Sequence, residues 1–414
     1  MSLANLRKEM MERNIRKTLY GCKVCYDIIK KQYNRGWGVP MAALLVSIFF
    51  LYLLYLLWEA HTARVARKKL AHVVHVNGTR GKSTVSRLIE AGLRAGGLRV
   101  FCKTTGTDPM TIDVNGREEP ILRRGKANIK EQLAILRRAA AQNAQVLVVE
   151  CMAITPEFQQ ASQHDILRAD IGVITNVRRD HTDVMGDTLP QITEALCHTV
   201  PRGGILLTAE TIMTAQLRVA TKKNGSSFVC AEVRGDEGTL DFPENVALAL
   251  AVCEELGVPR ETALAGMQRF SRDPYALSLY RLGKAAFIGG LSINDIQSIC
   301  MVWEKLRAEH CWQDKKLTLL INNRGDRASR TEDMLRVCTA LHPAEVWLMG
   351  ASRGYMKRGL RRKLPDAAVR ELSVGTDIAV DSLAEDQVIF AIGNIAGGGR
   401  ELMEYVRREG RALV

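Results

Sequence analysis

The sequence has no disulfide framework, no internal repeat, no low-complexity tract and no strongly charged body, and each absence narrows what the chain can be. Its ten cysteines follow no regular spacing, and Cys230, Cys253, Cys300 and Cys338 sit beside apolar residues. They read as reduced cytosolic thiols rather than the staples of a small secreted domain. Cys22 and Cys25 are the one close pair, and without a second pair they do not make a metal site. The net charge of +13 is concentrated at one end: residues 1–69 carry 13 Lys and Arg against 4 Asp and Glu, leaving 45 against 41 for residues 70–414. The body therefore lacks a generally basic surface, and no nucleic acid is expected as a partner. What is present, 414 residues with 47% apolar and 25% charged, is the composition of a folded protein too long for one ordinary domain.

Val39 to Trp58 is a run of twenty residues without a charge. As a helix rising about 1.5 Å per residue it spans roughly 30 Å, the thickness of a bilayer's hydrocarbon core. Tyr52, Tyr55 and Trp58 crowd its C-terminal end, where aromatic rings favour the membrane interface. The run starts too far into the chain for a cleaved signal peptide, and no small-residue cleavage site follows it. The N-terminal part is thus expected to be a basic arm (1–38), a transmembrane helix (39–58) and a basic juxtamembrane linker (59–69). Lys23, Lys30, Lys31 and Arg35 on one side balance Arg64, Arg67, Lys68 and Lys69 on the other, so flanking charge does not orient the span. The free thiols of the body favour residues 59 onward on the reducing, cytosolic side.

From Ala71 onward short β-branched runs alternate with amphipathic stretches: 73–76 then 83–95, 145–150, 171–177 then 189–200, and 205–208. After helix-like segments at 244–256 and 261–270 a second series runs 285–288, 317–321, 345–349 and 387–392. Such alternation predicts α/β layers built on mostly parallel sheets, with a boundary near residue 280 separating domains 70–280 and 281–414.

Residues 73–84 read as a strand running through Gly78-Thr79-Arg80-Gly81-Lys82-Ser83-Thr84 into a helix. Glycines let backbone N–H groups close around phosphate oxygens, a lysine neutralises β/γ charge and a hydroxyl reaches Mg²⁺. The loop is shorter than the usual phosphate loop, since its first glycine lies four residues before Lys82 and Val76 occupies the usual place. Glu150 ends the run 146–150, which sets a carboxylate on the rim where ligands of parallel sheets gather. A second strand end, Thr175-Asn176-Val177-Arg178-Arg179-Asp180-His181, offers an imidazole and a carboxylate for the same ion. On residue types alone, Asp180-His181 reads equally as a capping pair. Lys103 to Asp108 reads as either a substrate contact or a plain turn.

The shortened loop, the Glu-ended strand and the Thr-Asn-Val-x-x-Asp-His run, in that order, resemble the Mur ligase and folylpolyglutamate synthase superfamily. The stretches 77–84, 103–108, 150–153 and 180–186 resemble more particularly the ligase-subunit family of poly-γ-glutamate synthases. The resemblance implies a P-loop, Mur-ligase-like central domain and a Rossmann-like C-terminal domain behind one transmembrane helix. It implies an ADP-forming carboxylate–amine ligase that uses ATP and Mg²⁺ to activate a carboxylate as an acyl phosphate for attack by the amine of glutamate. Lys82, Glu150 and His181 would be catalytic. Gly78, Thr79, Arg80, Gly81, Lys82, Ser83 and Thr84 would hold ATP together with Asn245 and Arg324, and Ser83, Glu150 and His181 would hold the metal. Glutamate, the growing poly-γ-glutamate, small membrane subunits and the membrane are the implied partners, at a bacterial inner membrane crossed once with the body cytoplasmic. The oligomeric state stays open, a homo-oligomer included.

Several features depart from the resemblance. No lysine lies between Gly186 and Val200, where many Mur ligases carry a carbamylated one, and Asp273-Pro274-Tyr275 stands where capsule ligases have Asp-Pro-Gly. Asn245 reads equally as a helix cap. Arg324 and Arg327 read equally as surface partners of Asp326, and Asn294 and Asn394 belong to stretches that match capsule ligases. Arg353, Lys357, Arg358, Arg361, Arg362 and Lys363 cluster on one helical segment that suits an anionic partner or a solvated face. The alternative to ligation is a membrane-anchored P-loop ATPase or kinase.

Overall fold

The structure is a computed structural model that describes residues 38–413 apart from 107, 124, 126, 238–240, 274, 294, 326 and 327. The basic arm with Cys22 and Cys25 lies outside the described residues, as do Thr107, Pro274, Asn294, Asp326 and Arg327. The chain divides into two compact units, Met1–Ala66 and Arg67–Val414.

The first unit contains the apolar run. A helix forms over Gly38–Lys68, and its stretch Ala43–Lys68 is long and apolar enough to cross a membrane by length and composition. Leu44, Phe49, Leu51 and Leu54 are all exposed along it. The helix does not stop at Trp58. The linker expected over 59–69 continues the helix as far as Lys68, because Glu59, Ala60, Ala63, Arg64 and Ala66 are good helix formers and no Gly or Pro interrupts them.

In the second unit the described strands form two sheets. The first holds β1 (His72–Asn77), β2 (Val100–Thr104), β3 (Met110–Ile112), β4 (Glu118–Pro120), β5 (Val146–Glu150), β6 (Ile171–Ile174), β7 (Ile205–Thr208) and β8 (Ser227–Cys230). Their order is β4-β3-β2-β5-β1-β6-β7-β8, parallel except for the β3 and β4 edge. The second holds β9 (Ser278–Leu282), β10 (Ala285–Gly289), β11 (Lys316–Asn323), β12 (Glu345–Gly350), β13 (Ala368–Glu371), β14 (Gln387–Gly393) and β15 (Arg411–Ala412). Their order is β13-β12-β11-β14-β10-β9-β15, with β9 and β15 antiparallel at one edge.

Central strands are buried on both faces, as parallel sheets covered by helices require. Val73, Val74 and Val76 of β1 have no exposure. The helix Lys82–Ala95 buries Val85, Leu88, Ile89 and Leu93, one face at helical spacing, against the sheet and against helices Pro243–Glu255 and Arg260–Met267. Each such leucine contributes about 1.5–3 kcal/mol on burial. That packing anchors the helix whose first turn carries Lys82 and Ser83.

Register sets the rim. Val76 of β1 lies level with Glu150 of β5, and Asn77 lies level with Ile174 of β6. The phosphate loop, Glu150 and Thr175 therefore leave the sheet at one height, where neighbouring strands lead to opposite sides and a crevice opens.

Candidate active site

The loop after β1 is shaped by Gly81, which takes φ +80° immediately before the helix, a left-handed conformation glycine adopts without a Cβ penalty. The first helical turn carries no acidic residue and no side-chain cap. Its N–H groups and the positive end of its dipole therefore suit an anion. Lys82 folds over the loop, its Nζ donating to Gly78 O at 2.7 Å and Thr79 O at 3.2 Å. Ser83 Oγ donates to Glu150 Oε2 at 2.8 Å, and the same oxygen accepts from Thr105 N at 2.6 Å. Glu150 is only 3% exposed, so its carboxylate is fixed by these donors rather than by water.

The loop is braced from the end of β6. Thr79 N donates to Asn176 O at 3.1 Å, while Thr79 Oγ1 and Arg80 N both donate to Asn176 Oδ1, at 2.7 and 3.1 Å. Thr175 Oγ1 and Asn176 Nδ2 donate in return to Arg80 O, at 2.6 and 3.1 Å. Sequence reading placed Thr175 and Asn176 in the matching run without giving them work. Their part depends on the β1–β6 pairing, which no local pattern discloses.

Arg80 points away from the loop toward the second sheet's helices. Its guanidinium pairs with Asp295 Oδ2 at 2.8 Å and Asp180 Oδ2 at 3.3 Å. Asp295 caps helix Ile296–Glu309 by accepting from Ser298 N, and Ser298 Oγ accepts from Arg178 Nη1 at 2.8 Å. Two arginines from the first sheet's rim thus meet the N-terminus of a helix flanking the second. His181 takes φ +48° beside Asp180, its Nε2 3.7 Å from Asp180 Oδ2.

Asn245 is not a helix cap. The cap position is Phe242, and Asn245 is the third helical residue, its Nδ2 donating to Asp241 Oδ1 at 2.6 Å. Its amide also packs on Gly81, where a Cβ would stand 2.7 Å from Asn245 Oδ1. Burial raises the Asp241 carboxyl above its ordinary range, an effect partly offset by the Asn245 hydrogen bond.

A cleft of about 820 Å³ gathers these groups, lined by Thr79 to Thr84, Glu150, His181, Asn245 and Arg324. Gly78 stands behind the lining, bonded to Lys82. The cleft also reaches Asp241, Asp273, Asn394 and Arg400, of which Asp241 and Arg400 carried no sequence signal. Burial lifts the Asp273 carboxyl, with Glu150 and Asp108 adding to the rise and Arg87 opposing it. Among the described residues no three His, Cys, Asp or Glu side chains form a metal-binding group. In the basic helix Arg353–Lys363, Lys357 pairs with Glu371 and Lys363 with Glu332, leaving Arg358, Arg361 and Arg362 exposed.

Two family models divide the body between them. The Mur ligase middle domain matches residues 76–235, and the poly-gamma-glutamate synthase CapB C-terminal domain matches residues 276–409. The loop after β1 and Glu150 thereby fall within a Mur ligase middle domain, the class of ligases to which the first sheet belongs, and the second α/β layer falls within a CapB C-terminal domain. "PGA synthase CapB" of Bacillus subtilis (strain 168) is 33% identical over 353 residues, covering 80% of this chain and 89% of that one. "Capsule biosynthesis protein CapB" of Bacillus anthracis is 32% identical over 355 residues, covering 81% and 76%. The chain belongs to the poly-γ-glutamate synthase CapB family and is a ligase. Its fold is shared with bifunctional folylpolyglutamate synthase/dihydrofolate synthase from Yersinia pestis, crystallised with AMPPNP and Mn ion, at TM-score 0.65 and 18% identity over 84% of this chain and 92% of that one. E. coli FolC in complex with ADP gives TM-score 0.66 at 16% identity over 84% and 93%.

Proposed function

We propose that this protein is a membrane-anchored, ATP-dependent ligase of poly-γ-glutamate synthesis, with an ATP-binding central domain over 70–280 and a Rossmann-like domain over 281–414. The loop Gly78 to Thr84 holds the ATP phosphates, with Lys82 on the β/γ-phosphates, Asn245 toward the base and Arg324 facing the nucleotide from the second layer. A substrate carboxylate oxygen attacks the γ-phosphorus and ADP leaves. The amine nitrogen of glutamate then attacks the acyl carbon and loses a proton as phosphate departs. Lys82 and the helix N-terminus stabilise charge as it develops on the transferred phosphoryl group.

The donor set fits Mg²⁺: one hydroxyl, Ser83, bonded to one carboxylate, Glu150, with His181 lining the same cleft. Mg²⁺ keeps several waters and binds through one or two carboxylates plus substrate phosphates, so an all-protein cage is not required. When bound, the ion supplies Lewis-acid charge to the phosphoryl oxygens. The helix Gly38–Lys68 supports a single span at the bacterial inner membrane with the body cytoplasmic. Small membrane subunits are the expected partners of that span.

The observation that carries the reading is the Ser83–Glu150 hydrogen bond at the foot of an uncapped helix beneath Lys82. The test is hydroxylamine trapping in membranes carrying the full chain, with ATP, Mg²⁺ and a γ-glutamyl oligomer. Hydroxamate that requires ATP and disappears in Lys82→Ala is the expected result. ATP hydrolysis without hydroxamate would replace the ligase reading with that of an anchored ATPase.

A further inference from the structure

A ligase needs more than a place to activate its carboxylate. At neutral pH the acceptor amine arrives as an ammonium ion, and it must come to rest within about 3–3.5 Å of the acyl carbon. Lys82, folded over the phosphate loop, repels an ammonium, so something anionic has to receive it. Glu150 is already committed to Ser83 Oγ and Thr105 N. Asp180 and Asp295 are committed to Arg80.

Asp273 is placed differently. Its Oδ1 accepts from Tyr275 N at 2.8 Å, which fixes the carboxylate plane. Among the described residues its Oδ2 has no hydrogen-bond or ion-pair partner. That oxygen faces Ser83 Oγ across the bare Cα of Gly106: a Cβ on Gly106 would collide with Asp273 Oδ2 and stand 3.1 Å from Ser83 Oγ. Arg87, a cation whose charge acts on Asp273, is already paired with Glu118 and bonded to Ser271 O. On the far side Arg400 pairs with Asp108 and lies over the Tyr275 ring, 5.5 Å from its centroid. In Asp273 the cleft thus presents a half-buried carboxylate oxygen aimed toward the phosphate-loop hydroxyl, with Gly106 keeping the path clear.

Building on the ligase reading, we infer that Asp273 is the residue that receives the acceptor's ammonium group, holding it opposite Ser83 and Glu150 where the activated carboxylate forms. The ligand class is a primary alkylammonium, as in a free amino acid, and Gly106 is the opening through which its nitrogen, after giving one proton to solvent to become the free amine, reaches the acyl carbon. The contact is a charge-assisted hydrogen bond, so its loss is felt in acceptor affinity rather than in carboxylate activation.

The test compares two acceptors in membranes carrying the full-length chain, with ATP, Mg²⁺ and γ-glutamyl oligomer. Glutamate presents an ammonium; hydroxylamine is largely neutral at pH 7 and needs no counter-charge. In Asp273→Asn the KM for glutamate should rise about tenfold or more, while hydroxamate forms within about twofold of the wild-type rate. Asp273→Glu should recover part of the glutamate affinity. An unchanged KM for glutamate would overturn the assignment. So would a parallel fall of both products, which would make Asp273 part of the nucleotide and metal site or of the fold. Wild-type membranes that form no ATP- and Lys82-dependent hydroxamate would bring down the ligase reading itself, an outcome separate from either failure of Asp273.

Discussion

Ser83 Oγ and Glu150 Oε2 lie 2.8 Å apart, joining the first turn of the phosphate-loop helix to the end of β5. The bond fixes the hydroxyl and the carboxylate as a pair, and Thr105 N holds the same oxygen from just beyond β2. Glu150→Gln keeps an oxygen acceptor for both donors but removes the charge. Hydroxamate formation should fall about 100-fold or more, with a raised Mg²⁺ requirement, because the lost group is electrostatic. Thermal unfolding should shift by no more than about 2–4 °C. A rate within a few-fold of wild type would remove Glu150 from the proposed metal site.

Arg80 links the phosphate loop to Asp180 and Asp295, both only 11% exposed at the side chain. Arg80→Ala leaves two carboxylates without their shared cation and should cost about 2–3 kcal/mol of stability, below the range for a fully buried pair because the guanidinium is partly exposed. Asp295→Ala should cost less alone, and the double variant should cost less than the two singles together by at least about 0.5 kcal/mol. Denaturant midpoints of the three variants measure this. Strict additivity would mean that the ion pair contributes nothing to holding the second layer against the loop.

Much of this was legible in the sequence, because its signals are local. The strand-loop-helix at 73–84, the Glu-ended run and the Asp-His element are contiguous, and their residue types state their chemistry. The alternation of β-branched and amphipathic runs gave two parallel series, since buried central strands such as β1 must be apolar throughout. The antiparallel edges have weaker signals: β3 and β4 have three residues each and β15 has two, too short for a period to register, and β9, with five, is mostly half-buried rather than cleanly alternating. The braces escaped for another reason. Asn176 works through Thr79 and Arg80, nearly a hundred residues away, and Asp295 works through Arg80 at still greater separation. Such pairs exist only once strand order and register bring them together.

The helix Gly38–Lys68 makes membrane attachment testable apart from chemistry. Its twenty uncharged residues should hold the full chain in the membrane pellet through an alkaline carbonate wash, as a spanning helix does and an electrostatically bound arm does not. A chain beginning at Arg67, the start of the second compact unit, should appear in the soluble fraction. Full-length protein released by the wash would show that the run lies on the surface rather than across it.

His75 on β1 makes the body sensitive to acid. It has no exposure, its Nδ1 lies 2.8 Å from Gln163 Oε1, and its Nε2 is buried without a hydrogen-bond partner among the described residues. Burial lowers its pKa from 6.5 to about 4, with Lys103 and His164 adding to the fall and the Gln163 bond opposing it. Below pH 6.5 the unfolded chain takes up a proton that the folded one refuses until about pH 4. Stability should therefore drop progressively across that window by about 3 kcal/mol and then level off as far as this residue is concerned. His75→Asn keeps a donor for Gln163 but cannot titrate in this range. Its stability should be lower at pH 7 because of the lost ring, yet fall less between pH 6.5 and pH 4 than that of the wild type. Unfolding midpoints of the detergent-solubilised full chain at half-unit pH steps would decide, and parallel pH profiles for the two proteins would assign the acid sensitivity to other groups.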